Sequence, residues 1–460
     1  MLRLRSHLTP DVRAAFAALY RLSWPIVMSR VGVVLMGLMD TIVVGQYSST
    51  QLAFLMLASA LHWVPAVSGI GLLMGIQVKT AQFLGAGDQH RVGAVFQRGL
   101  GYALVLGVAF MAVLLVAGFG FLDLIEPPEM ARGAQLPLAL FALSMPLFLV
   151  GIACTQFLEA LSRTRDVLIG TLAANALNVV LLLVLVPGHL VVFGFEISGA
   201  VGAAAATLIA RSAQGIGLLV HVLTLKEARP FGLLDRQAAD PAGAAEQRHV
   251  GYATGAAYFI EVAAFAGMTL FAGRVDETAV ASWAIVLNFA SVVFMVPMGL
   301  SAGCSVLVGK AYGAGDGVGV ARMGRVSFVS AAGFMGLVVV SVLVGAGLLT
   351  RFYTHDAALM PFVREGLLLS CLFFIPDGLQ VVAAQALRAR KDILAPTVIH
   401  YVSYGLVMLP LGFVFCLTFG WGVAGLIYAV AVASLISGGF QTGRFLWLDK
   451  KPFEPAGSPG

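Results

Sequence analysis

The chain has 460 residues, 59% hydrophobic and only 11% charged, with a formal net charge of +5. An average soluble domain is about 25% charged, so a soluble globular fold is excluded and a polytopic membrane protein remains. In such a chain the basic excess reports loop charges that set topology, and no nucleic-acid partner is expected.

Apolar runs of spanning length number twelve, at 18–44, 53–83, 93–122, 133–160, 166–187, 198–225, 250–273, 279–309, 322–349, 360–387, 393–418 and 421–447. The fold class is therefore all-α integral membrane. The first dozen residues are polar and basic, and the first apolar run is too long for the core of a cleavable signal peptide. Cys154, Cys304, Cys371 and Cys416 all fall in apolar segments. No metal-ligand spacing links them, and no disulfide framework is expected.

Basic residues orient the chain. Of its 28 Lys+Arg, 22 fall on one side of the twelve runs, Arg3, Arg5, Arg236 and Arg388 among them. Only Arg132, Arg274, Arg351 and Arg364 fall on the other, while Arg30 and Arg211 lie within helices. The bias places both termini in the cytoplasm of a multi-pass inner-membrane protein.

The longest polar connection, 226–249, divides the runs six and six. The expected organisation is a lobe at 1–225, a cytoplasmic loop at 226–249, a second lobe at 250–447 and a cytoplasmic tail at 448–460. An internal repeat supports it. Gly85-Ala86-Gly87-Asp88, after the second run, returns as Gly313-Ala314-Gly315-Asp316 after the eighth. Leu161-Ser162-Arg163-Thr164-Arg165-Asp166, after the fourth run, returns as Leu387-Arg388-Ala389-Arg390-Lys391-Asp392 after the tenth, at almost the same offset. Six helices return the chain to its starting side. The halves are thus parallel repeats, related by a pseudo-twofold along the membrane normal and enclosing a cavity near the midplane. The GAGD stretches read as turns whose glycines permit tight geometry and whose Asp caps the next helix.

Three carboxylates interrupt apolar runs: Asp40 in the first, Glu261 in the seventh and Asp377 in the tenth. Each costs about 2.5–3.5 kcal/mol on insertion scales, so each is expected to serve a function. Pro376 precedes Asp377 and removes a helix hydrogen bond, leaving a carbonyl one turn back without its donor. Such oxygens suit a small hard cation or a proton. Glu261 and Asp377, in one half, can share a proton or hold Na+ between them. The frame places Met268 opposite Asp40, so the halves share a scaffold and not their acids. Asn175 and Asn178 lie near one helix face and can bond Asp40, with Thr207 joining them; Asn288 can serve the second half. For each of these polar groups, helix–helix hydrogen bonding is the structural alternative. His62, His221 and His400 read as packing or interfacial residues. Nucleotide-binding loops, catalytic-triad spacing and metal motifs are lacking, so neither an enzyme nor a nucleotide-driven pump is indicated, and no cofactor is expected. An ion gradient remains as the energy source.

Several stretches resemble multidrug and toxic compound extrusion (MATE) transporters. They are Leu22-Ser23-Trp24-Pro25-Ile26, Met36-Gly37-Leu38-Met39-Asp40-Thr41, Ala81-Gln82-Phe83-Leu84-Gly85-Ala86-Gly87-Asp88, Leu287-Asn288-Phe289 with Phe294-Met295-Val296-Pro297-Met298, and Ala386-Leu387-Arg388-Ala389-Arg390-Lys391-Asp392. The likeness runs from about residue 15 to 445, and the acids of the seventh and tenth helices are similar to those of the NorM-like branch. The resemblance implies two six-helix lobes with alternating access. It implies export of cationic or amphipathic compounds in exchange for Na+ or H+, by a monomer in contact with membrane lipid. Glu261 and Asp377 would be the second-lobe coupling acids, with Asn288 beside them. Asp40 would be the first-lobe acid, with Asn178, Asn175 and Thr207 as partners. Three features depart from the pattern: Leu182 stands where some relatives carry a second acid, Ala253-Thr254 stands near an expected Pro, and Arg30 in the first helix is unusual. A lipid-linked sugar flippase of the same superfamily is the alternative within transport.

Overall fold

The structure is a computed structural model that describes residues 10–188, 190–192, 195–235 and 240–453. Arg3, Arg5, Arg236 and the tail beyond 453 lie outside the described residues. Twelve helices are long and apolar enough to span a membrane: α1 Asp11–Tyr47, α2 Ser49–Gly85, α3 Gln89–Phe121, α4 Pro128–Ala160, α5 Thr164–Leu185, α6 Gly199–Thr224, α7 Pro241–Gly273, α8 Glu277–Gly313, α9 Gly317–Tyr353, α10 Met360–Ala389, α11 Leu394–Thr418 and α12 Gly422–Leu448. The protein is thus a multi-pass membrane protein. Between α5 and α6 the chain forms a short antiparallel ladder, β1 Leu190–Val192 with β2 Phe195–Ile197. Two three-residue strands are too short for the apolar-run signal that finds the helices.

The duplicated loops end and start helices as their residues require. Gly87 and Gly315 adopt φ of +75° and +73°, where a side chain is strained. Asp88 and Asp316 then cap α3 and α9, accepting from the backbone N–H of Arg91 and Gly319. In each half the fourth helix is the central post: α4 packs on α2, α3 and α6, and α10 on α8, α9 and α12. The repeated loops differ in one respect. α4 stops at Ala160, whereas α10 runs on to Ala389. Arg388, a loop cation by charge pattern, is therefore helical and 2% exposed.

The chain forms two compact units. One comprises Met28–Gly255, the other Met1–Val27 with Ala256–Gly460. Close backbone approaches explain why the cuts fall inside α1 and α7. In the first unit a Cβ at Gly251 would stand 2.0 Å from Leu72 O, and one at Gly75 2.0 Å from Gln247 O. The leading half of α7 thus lies directly on the backbone of α2. In the second unit a Cβ at Gly303 would stand 2.1 Å from Ser23 Oγ, so the leading half of α1 lies on α8.

Candidate functional site

In the unit Met28–Gly255, Asp40 is 7% exposed on α1. Thr207 on α6 donates to its Oδ2 at 2.9 Å, and Asn178 Nδ2 on α5 donates to Thr207 Oγ1 at 3.3 Å. The hydroxyl thus relays one donor chain onto the carboxylate. Asn175 does not join it: its Nδ2 donates to Gly32 O at 2.9 Å and ties α5 to α1. Asp40 Oδ1, Asn175 Oδ1 and Asn178 Oδ1 are buried with no hydrogen-bond partner among the described residues. Unsatisfied buried acceptors are costly, and a proton or a small hard cation satisfies them.

Arg211, one turn beyond Thr207 on α6, lies within electrostatic reach of Asp40. Its guanidinium donates from Nη1 to His62 Nε2 at 2.8 Å. It also stands over the rings of Phe148 and Trp63, at 4.9 and 5.5 Å from their centroids. Because guanidinium only donates, His62 Nε2 accepts, and His62 carries its proton on Nδ1. Cation–π contact and one aligned acceptor hold this charge. Deeper in the unit, Arg30 Nη2 meets Glu159 Oε1 at 3.2 Å, and Gln77 Nε2 donates to Glu159 Oε2 at 2.7 Å.

In the other unit, Asp377 Oδ1 on α10 accepts from Tyr404 OH on α11 at 3.0 Å and from Ser434 Oγ on α12 at 3.5 Å. Glu261 on α7 makes no direct bond to Asp377. Its Oε2 lies 3.2 Å from His400 Nε2, at ion-pair distance without hydrogen-bond alignment. The His400 ring stacks on the Tyr404 ring, with centroids 4.5 Å apart and planes 28° apart. The two acids are therefore bridged by a stacked His–Tyr pair, and Glu261 lies within electrostatic reach of Asp377. Backbone bonding in α11 widens to i→i+5 over Tyr401–Met408, a local adjustment often found at functional sites. Arg388, buried about three turns beyond Asp377 on α10, also feels Glu261. Asn288 stands apart, its Oδ1 accepting from Tyr353 OH at 3.1 Å on an exposed face.

The three acids expected from sequence thus sit in polar clusters, and Thr207 and Asn178 belong to one of them. Asn175 and Asn288 bond elsewhere. Sequence reasoning missed Tyr404, Ser434, Glu159, Gln77 and the bridging role of His400. The i, i+4 spacing of His400 and Tyr404 in an apolar helix was the available signal. Among the described residues no group of three or more His, Cys, Asp or Glu could hold a metal ion. The oxygen-rich clusters suit protons or alkali cations instead.

The family model described as MatE matches residues 25–184 and 253–414. A Caulobacter vibrioides protein named as a probable multidrug resistance protein NorM is 42% identical over 448 residues, 95% of this chain and 93% of its own length. The multidrug resistance protein NorM of Photobacterium profundum is 30% identical over 404 residues, 87% of each chain. A solved multidrug resistance MATE family transporter of the MOP superfamily, in an outward-facing conformation, superposes with a TM-score of 0.84. It is 17% identical over 96% of this chain and 99% of its own, a likeness of fold alone. With the family model matched twice along its length and with relatives that cover nearly all of it, the chain belongs to the MatE family of transporters, on the NorM-like branch.

Proposed function

We propose that the protein is a secondary active antiporter that exports cationic or amphipathic small molecules in exchange for Na+ or H+. The observation that supports this most is the pair of carboxylate clusters, one in each compact unit, with Asp40 buried and Asp377 and Glu261 half-buried. Asp40 is held by Thr207 and Asn178; Asp377 is held by Tyr404 and Ser434, with Glu261 and His400 alongside. A carboxylate inside an apolar helix is neutral when protonated or paired with a cation, and charged when neither is bound. Exchange follows when ion and substrate each favour a different facing state. Glu261 and Asp377 are the coupling acids of one lobe and Asp40 that of the other, with Asn178, Thr207, Asn175 and Asn288 in supporting roles.

The lobes of this reading are residues 1–225 and 250–447, joined by the loop 226–249, which lies in the cytoplasm with both termini. The protein acts as a monomer in the inner membrane. The names of its relatives support a multidrug substrate class. The test is efflux of an ethidium-type cation from vesicles under imposed Na+ or pH gradients. Asp377→Asn and Glu261→Gln are expected to insert normally and to lose gradient-driven efflux. Undiminished efflux in both variants would overturn the assignment, and the gradient that drives the wild type identifies the ion. A C-terminal reporter fusion active only in the cytoplasm checks the orientation.

A further inference from the structure

Each half of the molecule has an open groove between its fifth and sixth helices, and the two grooves are copies. That between α5 and α6 is lined by Ala173, Ala213, Gln214, Gly217, Leu218 and His221, among others. The α11/α12 groove is lined at the equivalent repeat positions by Ile399, Gly439, Phe440, Gly443, Arg444 and Trp447. Their volumes are about 330 and 780 Å³. At one end of each, an acid at the start of the fifth helix or just before it meets a base from the sixth. Asp166 Oδ2 lies 3.0 Å from His221 Nε2, and Asp392 lies 2.5 Å from Arg444 Nε.

The ends differ in what lies beyond the pair. Next to the α5/α6 groove, Arg163 is occupied by Asp166 and Glu227, and Glu227 also lies within electrostatic reach of Lys226. Beyond the α11/α12 groove, Lys450 and Lys451 follow Arg444 in the chain. Lys451 Nζ stands 3.7 Å over the Trp447 ring, and the Arg444 guanidinium 6.0 Å from it on the same indole. Arg444 uses Nε and Nη2 on Asp392, which leaves Nη1. The other acid nearby, Asp449, is already taken by Arg390 at 2.8 Å and Arg325 at 3.5 Å. The groove end is therefore net positive.

We propose that the α11/α12 groove binds one acyl chain of an anionic phospholipid, with the phosphate held by Lys451 and Arg444 at the Trp447 end. The dimensions fit. From Leu435 to Trp447 the groove follows α12 for twelve residues, about 18 Å at 1.5 Å per residue, against about 15 Å for half of a 30 Å hydrocarbon core. The walls are apolar and open: Leu435 and Phe440 are exposed, and a Cβ at Gly439 or Gly443 would meet nothing within 4 Å. A half-exposed Trp447 at the end is the residue expected where the hydrocarbon meets the headgroups. Charge favours an anionic headgroup over a zwitterionic one, because each lysine near the surface is worth roughly a fivefold preference.

Purified protein in nanodiscs would be photolabelled with phosphatidylglycerol bearing a diazirine on its acyl chain, with the phosphatidylcholine analogue in parallel. The expected result is labelling of α11 and α12 peptides by the phosphatidylglycerol probe. Gly439→Leu/Gly443→Leu, which fills open space and leaves the helix contacts intact, is expected to abolish it. Lys450→Gln/Lys451→Gln is expected to bring the two lipids to equal labelling, and Gly217→Leu in the duplicate groove to change nothing. Equal labelling by both probes in the wild type overturns the proposal, as does labelling that survives the filled groove. Should the filled variant fail to fold, the wild-type peptide map and the lysine variant decide by the same criteria.

Discussion

Arg30 Nη2 lies 3.2 Å from Glu159 Oε1, joining α1 to α4 inside one compact unit. In the repeat frame these positions correspond to Tyr258 and Gln385. There Gln385 Nε2 donates to Tyr258 OH, also at 3.2 Å, and joins α7 to α10. One scaffold position thus holds an ion pair in one half and a neutral hydrogen bond in the other. The charged version adds Gln77 as a second donor to the carboxylate.

This relationship sets the first expectation. Removing one partner of a buried pair strands the other charge, at a cost of about 3–5 kcal/mol. Glu159 is almost fully buried while the Arg30 side chain keeps 16% exposure, so Glu159→Gln is expected to fall at the lower end. Arg30→Tyr/Glu159→Gln copies the neutral pair of the other half and is expected to recover most of the loss. Gln385→Ala is expected to cost only about 0.6 kcal/mol, the average for membrane interhelical hydrogen bonds. Thermal and denaturant unfolding in detergent measure all three. A double variant no better than Glu159→Gln would show that the pair does not set the cost.

The Tyr404 hydroxyl is the closest donor to Asp377. Tyr404→Phe keeps the ring that stacks on His400 and removes only the donor. Hydrogen bonds to charged groups are worth about 1.5–3 kcal/mol, so the half-saturating concentration of the coupling ion is expected to move by tenfold or more. His400→Gln is expected to act on Glu261 and to leave the Tyr404–Asp377 bond in place. Ion-titrated efflux in vesicles gives both numbers. Unshifted ion dependence in Tyr404→Phe would remove this hydroxyl from the coupling site.

Much of this was legible in the sequence. Twelve spans, the two-copy frame and the three intramembrane acids all follow from apolar length and from the rarity of charge at membrane depth. What escaped was the set of partners. Tyr404 and Ser434 are ordinary residues of apolar helices, and only tertiary packing brings them to Asp377. Glu159 stands at a helix end, where an acid is unremarkable until Arg30 and Gln77 are found against it. Arg388 reads as a loop cation in the sequence because it follows the apolar run that ends at 387 and stands beside Arg390 and Lys391; in the structure α10 continues through it, whereas α4 ends before the equivalent position, Ser162.

Thr207 links Asn178 to Asp40 through one hydroxyl. Thr207→Val preserves shape and removes both bonds; Thr207→Ser preserves the bonds and removes a methyl. The expectation is that Ser retains transport and Val loses it about as severely as Asp40→Asn. Folding should change little, since each lost interhelical bond is worth only about 0.6 kcal/mol. Vesicle efflux alongside a detergent melting curve separates the two effects. A Val variant that transports normally would reduce Thr207 to packing.

The last expectation concerns Pro376, which precedes Asp377 in α10. Its carbonyl faces Gly438 on α12: a Cβ at Gly438 would stand 2.5 Å from Pro376 O. The carbonyl is therefore packed against backbone, one residue before the acid that α12 helps to hold through Ser434. Gly438→Ala must push α12 away from α10, and overpacking of this kind costs about 1–3 kcal/mol. Displacing α12 also moves Ser434 from Asp377, so ion dependence is expected to shift together with stability. Gly439→Ala is the control, because its Cβ would enter open space and is expected to stay within about 0.5 kcal/mol. Unfolding and ion-titrated efflux, measured on both variants, decide the matter. A Gly438→Ala protein as stable as the control would mean that α12 does not need this close approach to the Pro376 carbonyl.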